Sequence, residues 1–128
     1  MTIAVKPEAE AEIAADLAMP LAELNPARID RFQNDTIWPV FERLRREDPV
    51  HFTPDSEYGP YWSVTKWNDI MAVDTDHEGF SSADGIGLAN RKAMEEQEAV
   101  FKAMGREPRR GGGAGFITMD EPEHGPKR

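Results

Sequence analysis

"DTIWPVFERLRREDPVHFTPDSEYGPYWSVT", residues 35–65, decides the fold, because its apolar residues change spacing partway through. Ile37, Val40, Phe41 and Leu44 recur at helical intervals and make one apolar stripe. Pro39 falls in the first turn of that helix, where a missing N–H costs least, and Asp35 or Thr36 stands in position to cap it. Asp48-Pro49 ends the helix, since the residue before proline avoids helical geometry. "VHFT" and "YWSVT" follow as short β-rich runs. Pro54-Asp55 and Gly59-Pro60 between them are turn pairs, so the spacing predicts a hairpin.

Working outward, Thr65 is expected to cap a second helix over "KWNDIMAVDTD", with Trp67, Ile70 and Met71 on one face, and "GFSSA" is expected to add a short strand. Past Ala83, "DGIGLAN" reads as a connector. "RKAMEEQEAVFKAMGRE" then has helical periodicity through Ala93, Met94, Val100, Phe101 and Met104. "PRRGGGAG" reads as a loop and "FITM" as a brief apolar run. In the other direction, residues 1–26 set one lysine against five acids in an alanine-rich arm. A nascent helix is compatible with that composition, but residues 1–29 are read as an acidic, mobile leader ahead of an ordered portion at 30–128.

Composition narrows the function classes. A net charge of -9 argues against a dedicated nucleic-acid binder, which needs clustered Lys and Arg for phosphates. With no cysteine, disulfides, thiolate catalysis and sulfur-ligated zinc are ruled out. No apolar run has the length of a membrane span, and the start of the chain carries acids throughout, so a cytoplasmic protein is expected. Mean hydropathy of -0.63, with ten glycines and ten prolines, is low for a self-sufficient core.

Few motifs carry chemistry. "GGGAG" lacks the Gly-Lys-Ser/Thr ending of a phosphate loop and reads as a linker. His51, alternating with Phe52, is expected at the surface, and His77, among Asp74, Asp76 and Glu78, at a helix end. No pair of histidines has metal-site spacing, so no metal ligand is assigned. "MDEPEHGPKR", residues 119–128, differs, because Asp120 and Glu123 have capping-box spacing and Pro122 suits a first turn. His124 and Arg128 then stand four apart on one helix face, as two donors suited to a carboxylate or a phosphate. The same residues also fit a solvated helix start.

"FITMDEPEHGPKR" resembles the segment entering helix C of bacterial cytochromes P-450, with its Met-Asp-x-Pro-x-His-x-x-x-Arg pattern. "FERLRREDPVHFTPDSEYGPYWSVTKWNDIMAVDTDHEGFSS" resembles that family's helix A, first β-hairpin, helix B and following strand. Within the family, "EYGPYWSVTKWNDIMAVDTDHEGFSS" is similar to the alkane and fatty-acid terminal hydroxylases. The resemblance implies an α+β N-terminal portion of a fold that is mainly α when complete, made of helix A, the hairpin, helix B, the B–C loop and the start of helix C. It implies haem b as cofactor, with His124 and Arg128 on the haem propionates. It also implies a substrate-facing loop at about residues 83–118, where Ile86, Leu88, Phe116 and Ile117 are the candidate contacts for an apolar small molecule.

The departures from the pattern matter as much. The family's cysteine iron ligand, its oxygen-activating helix and its Glu-x-x-Arg helix are absent from the chain, and Gly125-Pro126 is unusual inside the helix C turn. The expectation is therefore an N-terminal fragment of a monooxygenase that hydroxylates alkanes or fatty acids at the terminal carbon. The complete enzyme would use O2 and electrons from a ferredoxin and its reductase. The fragment itself holds no catalytic residue and is expected to be inactive and molten or aggregation-prone alone. The alternative is a truncated, non-enzymatic acidic module that folds with a partner.

Overall fold

The computed structural model describes residues 7–83, 85 and 87–107. Its elements run α1 (Pro7–Ala18), a 3₁₀ turn (Leu21–Glu23), α2 (Ile29–Gln33), α3 (Ile37–Glu47), β1 (Val50–Thr53), β2 (Tyr61–Val64), α4 (Trp67–Thr75) and α5 (Arg91–Ala103). The helix, hairpin and helix expected over residues 35–75 are all present, in an α+β arrangement.

α3 is the organising element. Ile37, Val40 and Leu44 are buried along one stripe, as their spacing predicts, and Asp48 ends the helix with its N–H on the Leu44 carbonyl. They form a small core with Leu24, against which Met19, Leu21 and Phe41 pack. The entry to α3 differs in detail from expectation. Thr36 occupies the cap position without a side-chain cap bond, while Asp35 takes a left-handed φ of 58° and accepts a hydrogen bond from Trp38 Nε1 at 2.7 Å. Aspartate is among the few residues that tolerate this backbone region, and the Trp38 bond ties its carboxylate to the first turn.

β1 and β2 pair antiparallel with Val50 opposite Val64, His51 opposite Ser63, Phe52 opposite Trp62 and Thr53 opposite Tyr61. Thr65 N extends the pairing to the Pro49 carbonyl at 3.0 Å. The Thr65 hydroxyl, expected to cap the next helix, instead donates to that same carbonyl at 3.1 Å. The alternation along β1 is inverted relative to hydropathy: His51 and Thr53 face inward and are buried, while Val50 and Phe52 are exposed. His51 is therefore an interior residue, not the surface residue expected.

α1 lies within the stretch read as a mobile leader. Its burial is carried by Asp16, a polar residue, so an apolar stripe is not what marks it. "GFSSA" forms no strand. Gly79 N bonds the Asp76 carboxylate, Phe80 N bonds the Asp76 carbonyl, and Ala83 N bonds Ser81 Oγ, so local turns consume the backbone donors a strand would use.

The chain divides into two compact units. The first runs to Ser56 and includes Pro60–Asp69; the second holds Glu57–Gly59 and the chain from Ile70 onward. The core of Leu24, Ile37, Val40 and Leu44 belongs to the first.

Candidate functional site

Of the residues expected to form a site, His124, Arg128, Phe116, Ile117 and Ile86 lie outside the described residues. Leu88 is described, exposed, and sits three residues before α5. Leu88 is thus the one member of the expected set among the described residues, which themselves present two polar constellations.

The first constellation organises the first unit. The stretch from Met19 to Ala27 contains only a 3₁₀ turn, so its backbone polar groups need partners from elsewhere. Side chains from four elements supply them. Arg43 Nη1, from α3, donates to the carbonyls of Asp16 and Met19 at 3.0 and 2.7 Å. His51 Nε2, from β1, meets the Leu24 carbonyl at 2.8 Å. Arg31, from α2, donates to the Asn25 carbonyl. Tyr61 Oη, from β2, accepts from Ala27 N at 3.0 Å and donates to Asn25 Oδ1 at 2.5 Å.

Arg31 carries a second load. Its Nε and Nη2 donate to the two oxygens of Asp16 at 2.5 and 2.6 Å, a two-pronged pair with both residues buried. Removing two charges from water is costly, and paired geometry with further hydrogen bonds is what makes it tolerable. Nearby surface pairs are of another kind: Arg28, its hydrogen-bond partner, holds Asp30 below the ordinary carboxylate range, and the Arg43 and Arg46 guanidiniums do the same for Glu47.

The second constellation lies within the second unit. Asn90 caps α5 by accepting from Ala93 N at 3.1 Å, and its amide Nδ2 donates to Glu57 Oε2 at 3.0 Å. Arg91 N donates to the Glu57 carbonyl at 2.9 Å. Sequence reading placed 84–90 as a connector and missed this cap, although asparagine directly before an apolar-periodic run is the signal for it.

Chemically, the first constellation is saturated. His51 has Nδ1 on Asp48 Oδ2 at 2.7 Å and Nε2 on the Leu24 carbonyl, and it is 2% exposed, so neither ring nitrogen is offered to a substrate or metal. Among the described residues, no group of three His, Cys, Asp or Glu side chains has the placement to hold a metal ion. The chain has no cysteine, so its own residues do not fit a thiolate-ligated haem iron. No helix among the described residues is long and apolar enough to cross a membrane.

No family model matches the chain. It is similar to linalool 8-monooxygenase of Pseudomonas putida, 34% identical over 85 residues that make up 66% of this chain and 20% of that protein. It is also similar to cytochrome P-450 130 of Mycobacterium tuberculosis, 35% identical over 51 residues, 38% of this chain and 13% of that protein. Among solved structures, CYP153D17 from Sphingomonas sp. PAMC 26605 superposes with a TM-score of 0.53 at 33% identity, covering 78% of this chain and 24% of that one. The chain thus spans a fifth or less of the curated relatives it matches. Its helix, hairpin and following helices correspond to an N-terminal part of their fold, and the chain is homologous to the cytochromes P-450.

Proposed function

We propose that the chain is part of a haem-dependent monooxygenase that hydroxylates alkanes or fatty acids at the terminal carbon, with O2 and electrons delivered by a ferredoxin and its reductase. The observation that carries this reading is the correspondence with CYP153D17, where backbone superposition and 33% identity coincide over 78% of the chain. One relative is named as a monooxygenase, which supports the reaction class. The similarity of residues 57–82 to the terminal hydroxylases supports the substrate class. A cytoplasmic setting beside soluble electron donors belongs to the same proposal.

In this reading residues 30–128 contribute to haem retention and substrate contact, and the iron chemistry belongs to the cofactor and to a thiolate this chain does not carry. His124 and Arg128, four apart, donate to the haem propionates, and Ile86, Leu88, Phe116 and Ile117 offer apolar surface to an alkyl chain. The chain alone is inactive.

Two measurements test it. Mixed with haem, reduced and exposed to carbon monoxide, the 128-residue chain is expected to give no thiolate-type Soret band. Such a band overturns the claim of inactivity. The coding DNA beyond codon 128 is expected to encode, in the same or a shifted frame, a Phe-x-x-Gly-x-x-x-Cys segment, and a sequence without one sinks the monooxygenase reading. In the polypeptide that includes that segment, His124→Ala combined with Arg128→Ala lowers haem occupancy. Unchanged occupancy removes the propionate assignment.

A further inference from the structure

We infer that the hairpin turn Glu57–Gly59 is the seat that fixes where α5 begins, with Glu57 as its positioning residue. Its bearing on substrate contact rests on the monooxygenase reading, because only that reading sets residues 83–118 against substrate; the seat itself stands on geometry alone.

α5 needs such a seat. It is thirteen residues long and buries none of them, with Met94 and Val100 both more than half exposed. Helices of that length are marginal without tertiary packing, so side-chain burial does not set the position of this one. Its first turn, by contrast, is held at three points. Helix starts leave N–H groups with no intrahelical partner, and two of these are taken up here: Ala93 N by the Asn90 side chain, and Arg91 N by the Glu57 carbonyl at 2.9 Å.

The Asn90 amide works in both directions. Its oxygen caps the helix and its nitrogen donates to the Glu57 carboxylate at 3.0 Å, so capping and seating fix the same rotamer. Gly59 leaves the Arg91 side chain room over the turn. It is buried, with φ at +84°, and a Cβ there would meet the end of the Arg91 side chain. The guanidinium lies over a bare Cα, but its flexible end could swing clear of a side chain, so it is the positive φ that favours glycine here.

Hydrogen exchange on the full 128-residue chain tests the seat. Glu57→Ala removes the carboxylate bond and is expected to speed amide exchange across Arg91–Ala103 roughly fivefold, the loss of one modest hydrogen bond, while β1 and β2 exchange as before. Glu57→Gln keeps an acceptor for Asn90 and restores the original rates. Gly59→Val, which must adopt a φ of +84° that β-branched residues avoid, exceeds Glu57→Ala. Unchanged α5 exchange in Glu57→Ala, an equal loss in Glu57→Gln, or unprotected α5 amides in the unaltered chain each overturns the inference. These rates do not depend on haem, so failure of the carbon monoxide or coding-frame tests leaves the seat standing, and failure of the seat leaves them untouched.

Discussion

Asp16 and Arg31 show how much one contact decides in this chain. Asp16→Ala leaves the Arg31 guanidinium buried without its carboxylate, which costs about 3–5 kcal/mol, a large part of a small domain's stability. A urea titration is expected to show the transition collapse toward zero denaturant, and the pair Asp16→Leu with Arg31→Met recovers much of it. An unshifted midpoint in Asp16→Ala rejects this account. Sequence reading misses such residues for a physical reason. Hydropathy gives no reason to bury Asp16, Arg31 or His51, because Asp16 with Arg31, and the Leu24 carbonyl with His51, make each other tolerable inside across 15 and 27 residues of chain. In β1 the pattern even pointed the wrong way, with His51 inside and Phe52 outside.

At the scale of elements, α3 was legible because every signal agreed: stripe, early proline and Asp-Pro stop. α1 was not, since alanine and glutamate fit a helix and a mobile arm equally and only tertiary contact separates them. α3 also joins two kinds of arginine contact in one side chain. Glu47 is held below the ordinary carboxylate range by Arg43 and then Arg46, so its small contribution is present above that range and fades as pH falls through the lowered value. Glu47→Gln should therefore leave the unfolding midpoint at neutral pH nearly unchanged. Arg43→Ala strips the Asp16 and Met19 carbonyls of their donor and costs about 1–3 kcal/mol. Equal effects from the two substitutions at pH 7 contradict that ordering.

For the whole molecule, apolar surface left open matters most. In the first unit Phe52 and Trp62 stack across the hairpin at 4.7 Å between ring centroids, yet are 42% and 62% exposed, on a sheet of two strands among the described residues. Two strands are below what stands alone in water, and an exposed apolar face invites association. The isolated chain is expected to bind a hydrophobic dye such as ANS through this exposed pair, and Trp62→Ser to weaken that binding. Dye binding that is absent, or unchanged in Trp62→Ser, contradicts this. The spacing of His124 and Arg128 marks a candidate anion pair in the sequence, outside the described residues, whereas the seat at Glu57 needed the fold to bring residues 33 positions apart together.

The Arg31–Asp16 pair carries one more consequence, in terms of ionic strength. Dissolved ions screen charges that water reaches, and this pair is closed to water, while the Arg28–Asp30 and Arg46–Glu47 pairs are open to it. An acidic N-terminal arm on a chain of net charge -9 looks, by composition, like a tail that salt would release or collapse. Its anchor lies where salt acts least, so α1 is expected to stay docked from dilute buffer to molar chloride while the surface pairs fade around it.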